Sequence, residues 1–254
     1  MVNASDRLIL ALDIPNDPER PDRPDRPIEV TDAERLVERL GDLVTFYKIG
    51  WPLYLAEGGH AYPAALVRAG KHVFLDLKYG DIPHTVRKLV TALAPTGIEL
   101  LTIHGATEAV RQAVAGRDAA MPTRLKLLRV TLLTSMDAAD LDEMGFTLPV
   151  NEYVARMAKS AQAAGCDGIV CSGADAAHVR SVVGPELTIV TPGIRPAGAG
   201  ADDHKRLSTA GDSIRAGADY LVVGRPVLRA RDPKAAVSAL LEEIQAAFDS
   251  RRAG

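Results

Sequence analysis

His72-Val73-Phe74-Leu75-Asp76-Leu77-Lys78, followed by Tyr79-Gly80-Asp81-Ile82-Pro83-His84-Thr85, contains in miniature the alternation that organises the whole chain. The first seven residues are rich in leucine, aromatic and β-branched side chains and read as a largely buried strand. Behind the Ile-Pro step, residues 85–94 carry apolar side chains at helical spacing. The same unit recurs in both directions from this point. Strand-like runs fall at 8–13, 44–50, 72–78, 100–104, 125–131, 168–172, 187–191 and 220–224, and helical stretches at 32–40, 63–69, 85–94, 152–164, 174–183, 202–216 and 233–248. Strands alternating with helices predict βαβ units and a parallel sheet. Eight strands in 254 residues predict an α/β chain folded as a single (β/α)8 TIM barrel domain over 1–254. An open doubly wound sheet would want a glycine-rich turn after its first strand, and Asp13-Ile14-Pro15-Asn16 is not one. The helices close on Ala69-Gly70, Ala164-Gly165 and Ala216-Gly217, where glycine can take the left-handed conformation that ends a helix.

Composition narrows the function. Thirty Lys and Arg against 33 Asp and Glu leave a net charge of -3, so no nucleic-acid-binding surface is expected. Aromatics are 4% against 47% hydrophobic residues overall, which predicts an aliphatic core. No apolar run approaches the roughly 20 residues of a membrane helix, so no membrane is expected. Cys166 and Cys171 lack ligand-spaced partners and suit a reducing, cytoplasmic setting. His60, His72 and His178 do not cluster with other donors, and no metal site is expected. The acidic run at 137–143 reads as a solvated helix face. One segment breaks the rhythm: Pro15, Pro18, Pro21, Pro24 and Pro27 recur every third residue, the turn of a polyproline II helix. It reads as a surface insertion at about 15–28, with a lid or docking role as the alternative.

Active sites of such barrels form at the C-terminal strand ends. Those ends carry Asp13, Lys48, Asp76 with Lys78, His104, Thr134, Ser172, Thr191 and Gly224 with Arg225. Alternate residues of a strand share a face, so Asp76 and Lys78 point together into the mouth while Leu75 and Leu77 face the helices. A lysine between carboxylates stays protonated and is suited to donate a proton. Asp-x-Lys-x-x-Asp alone also fits a structural ion-pair network, but Lys48 extends it into an alternating array with Asp76, Lys78 and Asp81. His104 could orient a member of it. Thr191-Pro192-Gly193-Ile194-Arg195 and Val223-Gly224-Arg225-Pro226 follow strands 7 and 8, the usual phosphate site, where glycine amides and arginine forks suit an anion.

Taken together, Leu10-Ala11-Leu12-Asp13, Tyr47-Lys48-Ile49-Gly50, Asp76-Leu77-Lys78-Tyr79-Gly80-Asp81-Ile82-Pro83-His84-Thr85, Thr131-Leu132-Leu133-Thr134-Ser135-Met136 and the two arginine loops resemble, in order, the orotidine 5′-monophosphate decarboxylase family, bacterial branch. The likeness runs from about residue 7 to the last helix. It implies a cofactor-free and metal-free homodimeric enzyme that converts orotidine 5′-monophosphate to UMP and CO2. By the same resemblance Asp13 and Lys48 bind the ribose hydroxyls, Asp76 lies beside the substrate carboxylate, and Lys78 donates the proton. Asp81 and Thr85 reach the partner's site. Thr134, with Ser135, bonds the pyrimidine, and Arg195, Gly224 and Arg225 hold the phosphate. His204 stands where the family commonly has glutamine, and would retune binding there. His84 and Gly80 replace a common asparagine and histidine, which concerns loop shape, and the proline-rich insertion is longer than the family's. Two rivals remain. A magnesium-dependent sugar-phosphate decarboxylase or synthase of the same superfamily would carry a carboxylate at the position of Lys48, and a non-catalytic nucleotide-binding barrel would be expected to lack the lysine array.

Overall fold

A computed structural model describes residues 3–13, 27–196 and 208–253. Eight parallel strands, β1 (Leu8–Ala11), β2 (Phe46–Gly50), β3 (His72–Tyr79), β4 (Leu100–Ile103), β5 (Lys126–Val130), β6 (Gly168–Val170), β7 (Thr188–Pro192) and β8 (Tyr220–Val223), pair in sequence order. The ring closes through Leu8 against Leu221 and Leu10 against Val223. The expected barrel is therefore the observed one.

Alternation along each strand sorts the side chains into two layers. Leu10, Tyr47, Leu75, Leu101 and Ile189 face outward beneath the helices. Ile9, Phe46, Phe74, Leu100, Leu128 and Val190 fill the barrel interior. The few aromatics concentrate at the N-terminal end of this interior, where Phe46 meets the Tyr220 ring edge-on at 5.9 Å and the His72 ring at 5.5 Å. They pack across that end, and toward the C-terminal ends of the strands inward positions become polar, as at Lys48 and Thr102.

The helices lie close to the expected spans, among them Val30–Leu40, Tyr62–Arg68, Pro83–Leu93, Val150–Ala163 and Gly173–Val183. A further helix, Thr107–Asp118, follows β4. Its apolar face is made of small residues, Ala109, Val110, Ala113 and Gly116, which makes its signal faint in the sequence. Gly116 is needed there: a Cβ would stand 2.5 Å from the carbonyl of Arg87 on the neighbouring helix. The acidic run forms the short, mostly exposed helix Ala138–Glu143, capped by Asp137. Of the expected helix at 202–216, only Ala210–Arg215 lies within the described residues. Most of the proline-rich segment lies outside them, and the chain re-enters the core at Ile28.

Two aspartates at the closed end act as staples. Asp219 precedes β8; its Oδ2 accepts from the Ile189 N–H of β7 at 2.8 Å and from Arg180 Nη2 at 2.6 Å. Asp167 precedes β6 and repeats the device, accepting from the Leu127 N–H of β5 at 2.8 Å and from Arg117. Each follows an Ala-Gly helix end, in Ala164-Gly165-Cys166-Asp167 and Ala216-Gly217-Ala218-Asp219. Replacing Asp219 with alanine strands the Ile189 N–H and removes one of the bonds of Arg180, and should cost about 1–3 kcal/mol of stability. Urea denaturation measures this; an unchanged midpoint would show that the staple contributes nothing.

Candidate active site

The site begins with three adjacent strand tips. Gly50 of β2 lies beside Asp76 of β3 in register, and Ala11 of β1 beside Lys48. This places Asp13, Lys48 and Asp76 around one point at the barrel mouth. Asp13 Oδ1 accepts from the Gly50 N–H at 2.8 Å, and its Oδ2 from the Lys48 ammonium. The other side of that ammonium faces Asp76 Oδ2 at 3.4 Å, and Asp76 Oδ1 accepts from Lys78 Nζ at 2.9 Å. The result is an unbroken chain of alternating charge, Asp13–Lys48–Asp76–Lys78. Gly50 is required by it, since a Cβ there would lie 2.5 Å from Asp13 Oδ1.

The fields inside this chain stabilise the charged forms of its two inner members, Lys48 and Asp76. Burial disfavours the Lys48 ammonium, yet the carboxylates of Asp13 and Asp76 outweigh burial and raise its pKa above the ordinary lysine value. For Asp76 burial again works against charge, and Lys48 and Lys78, with hydrogen bonds from Lys78 and Thr102, hold its pKa below the ordinary carboxylate range. His104, just beyond β4, is pushed below the usual histidine value by burial first, then by Arg129 and Lys78, which keeps its imidazole neutral. It meets β3 through its backbone, its N–H donating to the Tyr79 carbonyl at 2.8 Å.

Simple alternation does not carry β3 to its end. The pairing with β4 runs Phe74 to Leu100 and Leu75 to Leu101, then resumes with Tyr79 beside Ile103. Residues 76–78 thus face Thr102 alone, and Lys78 takes φ +48°. A left-handed backbone at a non-glycine residue costs on the order of 1–3 kcal/mol and persists only where its surroundings impose it. Here the Lys78 N–H donates to Thr102 Oγ1 at 2.8 Å, and Trp51 Nε1 donates to the neighbouring Leu77 carbonyl at 2.9 Å. Sequence reasoning did not single out Thr102. The available signal was a hydroxyl at an inward position of the otherwise apolar strand Leu100-Leu101-Thr102-Ile103.

The remaining expected residues divide into groups. Asp81 and Thr85 are exposed beyond the strand, with Asp81 Oδ1 accepting from the Ile82 N–H at 2.6 Å. Asp81 therefore stands apart from the array within its own chain, whose fourth member is Asp13. Thr134 is buried and Ser135 exposed on the turn after β5. Arg195 follows β7, buried, with its N–H on the Ser208 carbonyl at 3.0 Å. Gly224 and Arg225 are half-buried at the tip of β8, where they open the short helix Arg225–Leu228. Since β8 pairs with both β7 and β1, these arginine loops adjoin the charged array around the rim. His204 lies outside the described residues.

The sequence model of the orotidine 5′-phosphate decarboxylase / HUMPS family matches residues 6–240. Orotidine 5′-phosphate decarboxylase of Rhodopseudomonas palustris is 50% identical over 245 residues, 96% of this chain and 96% of that protein. Its counterpart in Methylobacterium nodulans is 49% identical over 242 residues, 95% and 97% of the respective chains. The crystal structure of orotidine 5′-phosphate decarboxylase from Lactobacillus acidophilus superposes with a TM-score of 0.76 at 34% identity, covering 94% of this chain and 98% of that one. With matches that span nearly its full length, the chain belongs to the orotidine 5′-phosphate decarboxylase / HUMPS family.

Proposed function

We infer that the chain is a carbon–carbon lyase that converts orotidine 5′-monophosphate to UMP and CO2 in pyrimidine biosynthesis. The observation that carries the reading is the unbroken Asp13–Lys48–Asp76–Lys78 chain at the barrel mouth. The phosphate binds at Arg195, Gly224 and Arg225, the ribose hydroxyls at Asp13 and Lys48, and the pyrimidine at Thr134 and Ser135. This directs the C6 carboxylate toward Asp76. The bond from C6 to the carboxylate breaks, CO2 leaves, and the electron pair stays on C6 in the plane of the ring, where the π system cannot accept it. The Lys78 ammonium faces that developing charge and stabilises it electrostatically. It then gives its proton to C6 and regains one from solvent. Asp76 beside the departing carboxylate disfavours the bound ground state.

The rival sugar-phosphate reading calls for a divalent cation among carboxylates at the tips of β1–β3. The ammonium of Lys48 already stands between Asp13 and Asp76, and two positive charges do not share that space. A cofactor-free and metal-free reaction fits the donor set. A non-catalytic barrel fits less well, because Lys48 and Asp76 held in their charged forms and a strained lysine serve no purpose in mere binding.

Asp81 and Thr85 are read as reaching the site of a second copy in a homodimer. Both are exposed, and Ile82 between them is 65% exposed. We also read the chain as one barrel domain over 1–254, with the proline-rich segment as an insertion between β1 and the helix Val30–Leu40. A cytoplasmic setting fits two buried cysteines outside any disulfide; burial, with Asp167 beside it, pushes the Cys166 thiol up to about 12 and leaves it unreactive. No described helix is long and apolar enough to cross a membrane.

Four outcomes test these readings. In excess EDTA the wild type should convert orotidine 5′-monophosphate, followed by its ultraviolet absorbance, and Lys78→Ala should lose roughly 10²–10⁴-fold or more in kcat. Silence in EDTA, rescued by Mg²⁺ and a sugar phosphate, would establish the rival. Arg225→Ala should lose roughly 10–100-fold in kcat/KM, as expected for one charge-assisted phosphate contact. Equimolar Lys78→Ala and Asp81→Ala subunits, each inactive, should on mixing and reassembly regain about a quarter of the wild-type rate, because a two-fold dimer restores one complete site in half the pairs. Failure to regain activity would remove the shared site.

The fourth outcome concerns pH. Asp76 has a pKa below the ordinary 3.8, so its contribution to stability is full above that value and is lost only as pH falls further. Lys48 is raised above the ordinary 10.5, so its contribution is full below that value and is lost as pH rises beyond it. Neither group should therefore produce a limb in kcat/KM between about pH 5 and 9. Lys48→Met removes a cation from Asp76, and the acid limb should move upward toward neutrality. An acid limb that stays in place would contradict the coupling.

A further inference from the structure

The mechanism assigns no task to Thr102, the residue on β4 that faces the irregular end of β3. It is fully buried and lies directly between the two groups on which the reaction depends. Its Oγ1 accepts from the backbone N–H of Lys78 at 2.8 Å and stands 3.0 Å from Asp76 Oδ1. The direction of both bonds follows from the chemistry. An amide N–H can only donate and an ionised carboxylate can only accept, so the hydroxyl must receive the first proton and give its own to Asp76. Lys78 Nζ also donates to Asp76 Oδ1, at 2.9 Å. The bonds close a ring: Lys78 backbone to Thr102, Thr102 to Asp76, and Asp76 to the Lys78 side chain.

We propose that Thr102 is a positioning residue for the decarboxylation, holding Lys78 and the Asp76 carboxylate in their reactive arrangement through a single hydroxyl that accepts from the Lys78 backbone N–H and donates to Asp76. Two independent features support the role. The first is register: three residues of β3 stand opposite Thr102, so a regular ladder has no partner for the Lys78 N–H, and the side-chain oxygen supplies it. The second is backbone conformation: Lys78 lies at φ +48°, and the direction of its side chain depends on whatever keeps it there. A carbonyl could accept the first bond but not donate the second, and an ammonium could donate but not accept. Serine keeps the circuit; valine keeps the shape and cuts it.

This inference rests on the decarboxylase reading, and the test separates the two. Wild type, Thr102→Val and Thr102→Ser are compared for kcat and KM on orotidine 5′-monophosphate, for UMP affinity and for thermal midpoint. Conversion by the wild type establishes the reaction itself; no conversion would overturn both readings. Thr102→Val should lose roughly 10–100-fold in kcat, the scale expected when a reacting group shifts by a fraction of an ångström to one ångström. Its KM and UMP affinity should stay near wild type, and Thr102→Ser should recover most of the lost kcat. An unimpaired Thr102→Val, given an active wild type, would overturn the positioning role alone. So would a Thr102→Ser variant as slow as Thr102→Val, which would assign the effect to methyl packing. Parallel loss of kcat, UMP binding and thermal midpoint would likewise replace positioning with general support of the fold.

Discussion

The ammonium of Lys48, enclosed between Asp13 and Asp76, is the interaction on which the mouth of the barrel depends. A lone ion so deeply buried would cost several kcal/mol even after relaxation, so its two carboxylates are a structural necessity before they are a chemical asset. They come from different strands, and the arrangement exists only because β1, β2 and β3 are neighbours in a fixed register. Gly50 allows the approach by leaving out a side chain that Asp13 would strike. Once assembled, the chain holds Lys48 above the ordinary lysine range and Asp76 below the ordinary carboxylate range, so both stay charged beside the proton donor.

The two ends of the barrel are built on opposite principles. The closed end is filled with aromatic rings and stapled by Asp167 and Asp219, whose carboxylates each join a strand amide to an arginine of a neighbouring helix. The open end carries buried charge and a left-handed lysine. Stability gathered by the lower layers offsets the strain held above, so the Lys78 geometry is sustained by a core that does not touch it. The His104 backbone contributes locally, since its bond to the Tyr79 carbonyl resumes the ladder just past the irregular stretch.

Much of this was legible in advance for one reason: period. Strand alternation placed Asp76 inward because side chains two apart share a face, Lys48 stood at the end of the neighbouring strand, and eight recurrences in a chain of this length left a closed barrel as the economical solution. Where the period breaks, prediction weakened. Alternation put Lys78 on the face of Asp76, but the contact is made through an irregular pairing that no single strand can announce. The helix Thr107–Asp118 is built on alanines and a glycine, and its burial is decided by the close approach of a neighbour. Asp81, expected in the charged array, follows the end of β3, and its carboxylate accepts from the adjacent Ile82 N–H.

The sequence by itself determined the barrel, the identities of the charged residues at its rim and the family, since these follow from composition, period and local motif. Only the tertiary structure decided that Asp13 completes the chain of charges, that Thr102 links Asp76 to the backbone of Lys78, and that Lys78 adopts a left-handed conformation. Each of these depends on which atoms of separate strands come within hydrogen-bonding distance. That distance is set by barrel closure and register, which are properties of the assembled sheet and of no segment read alone.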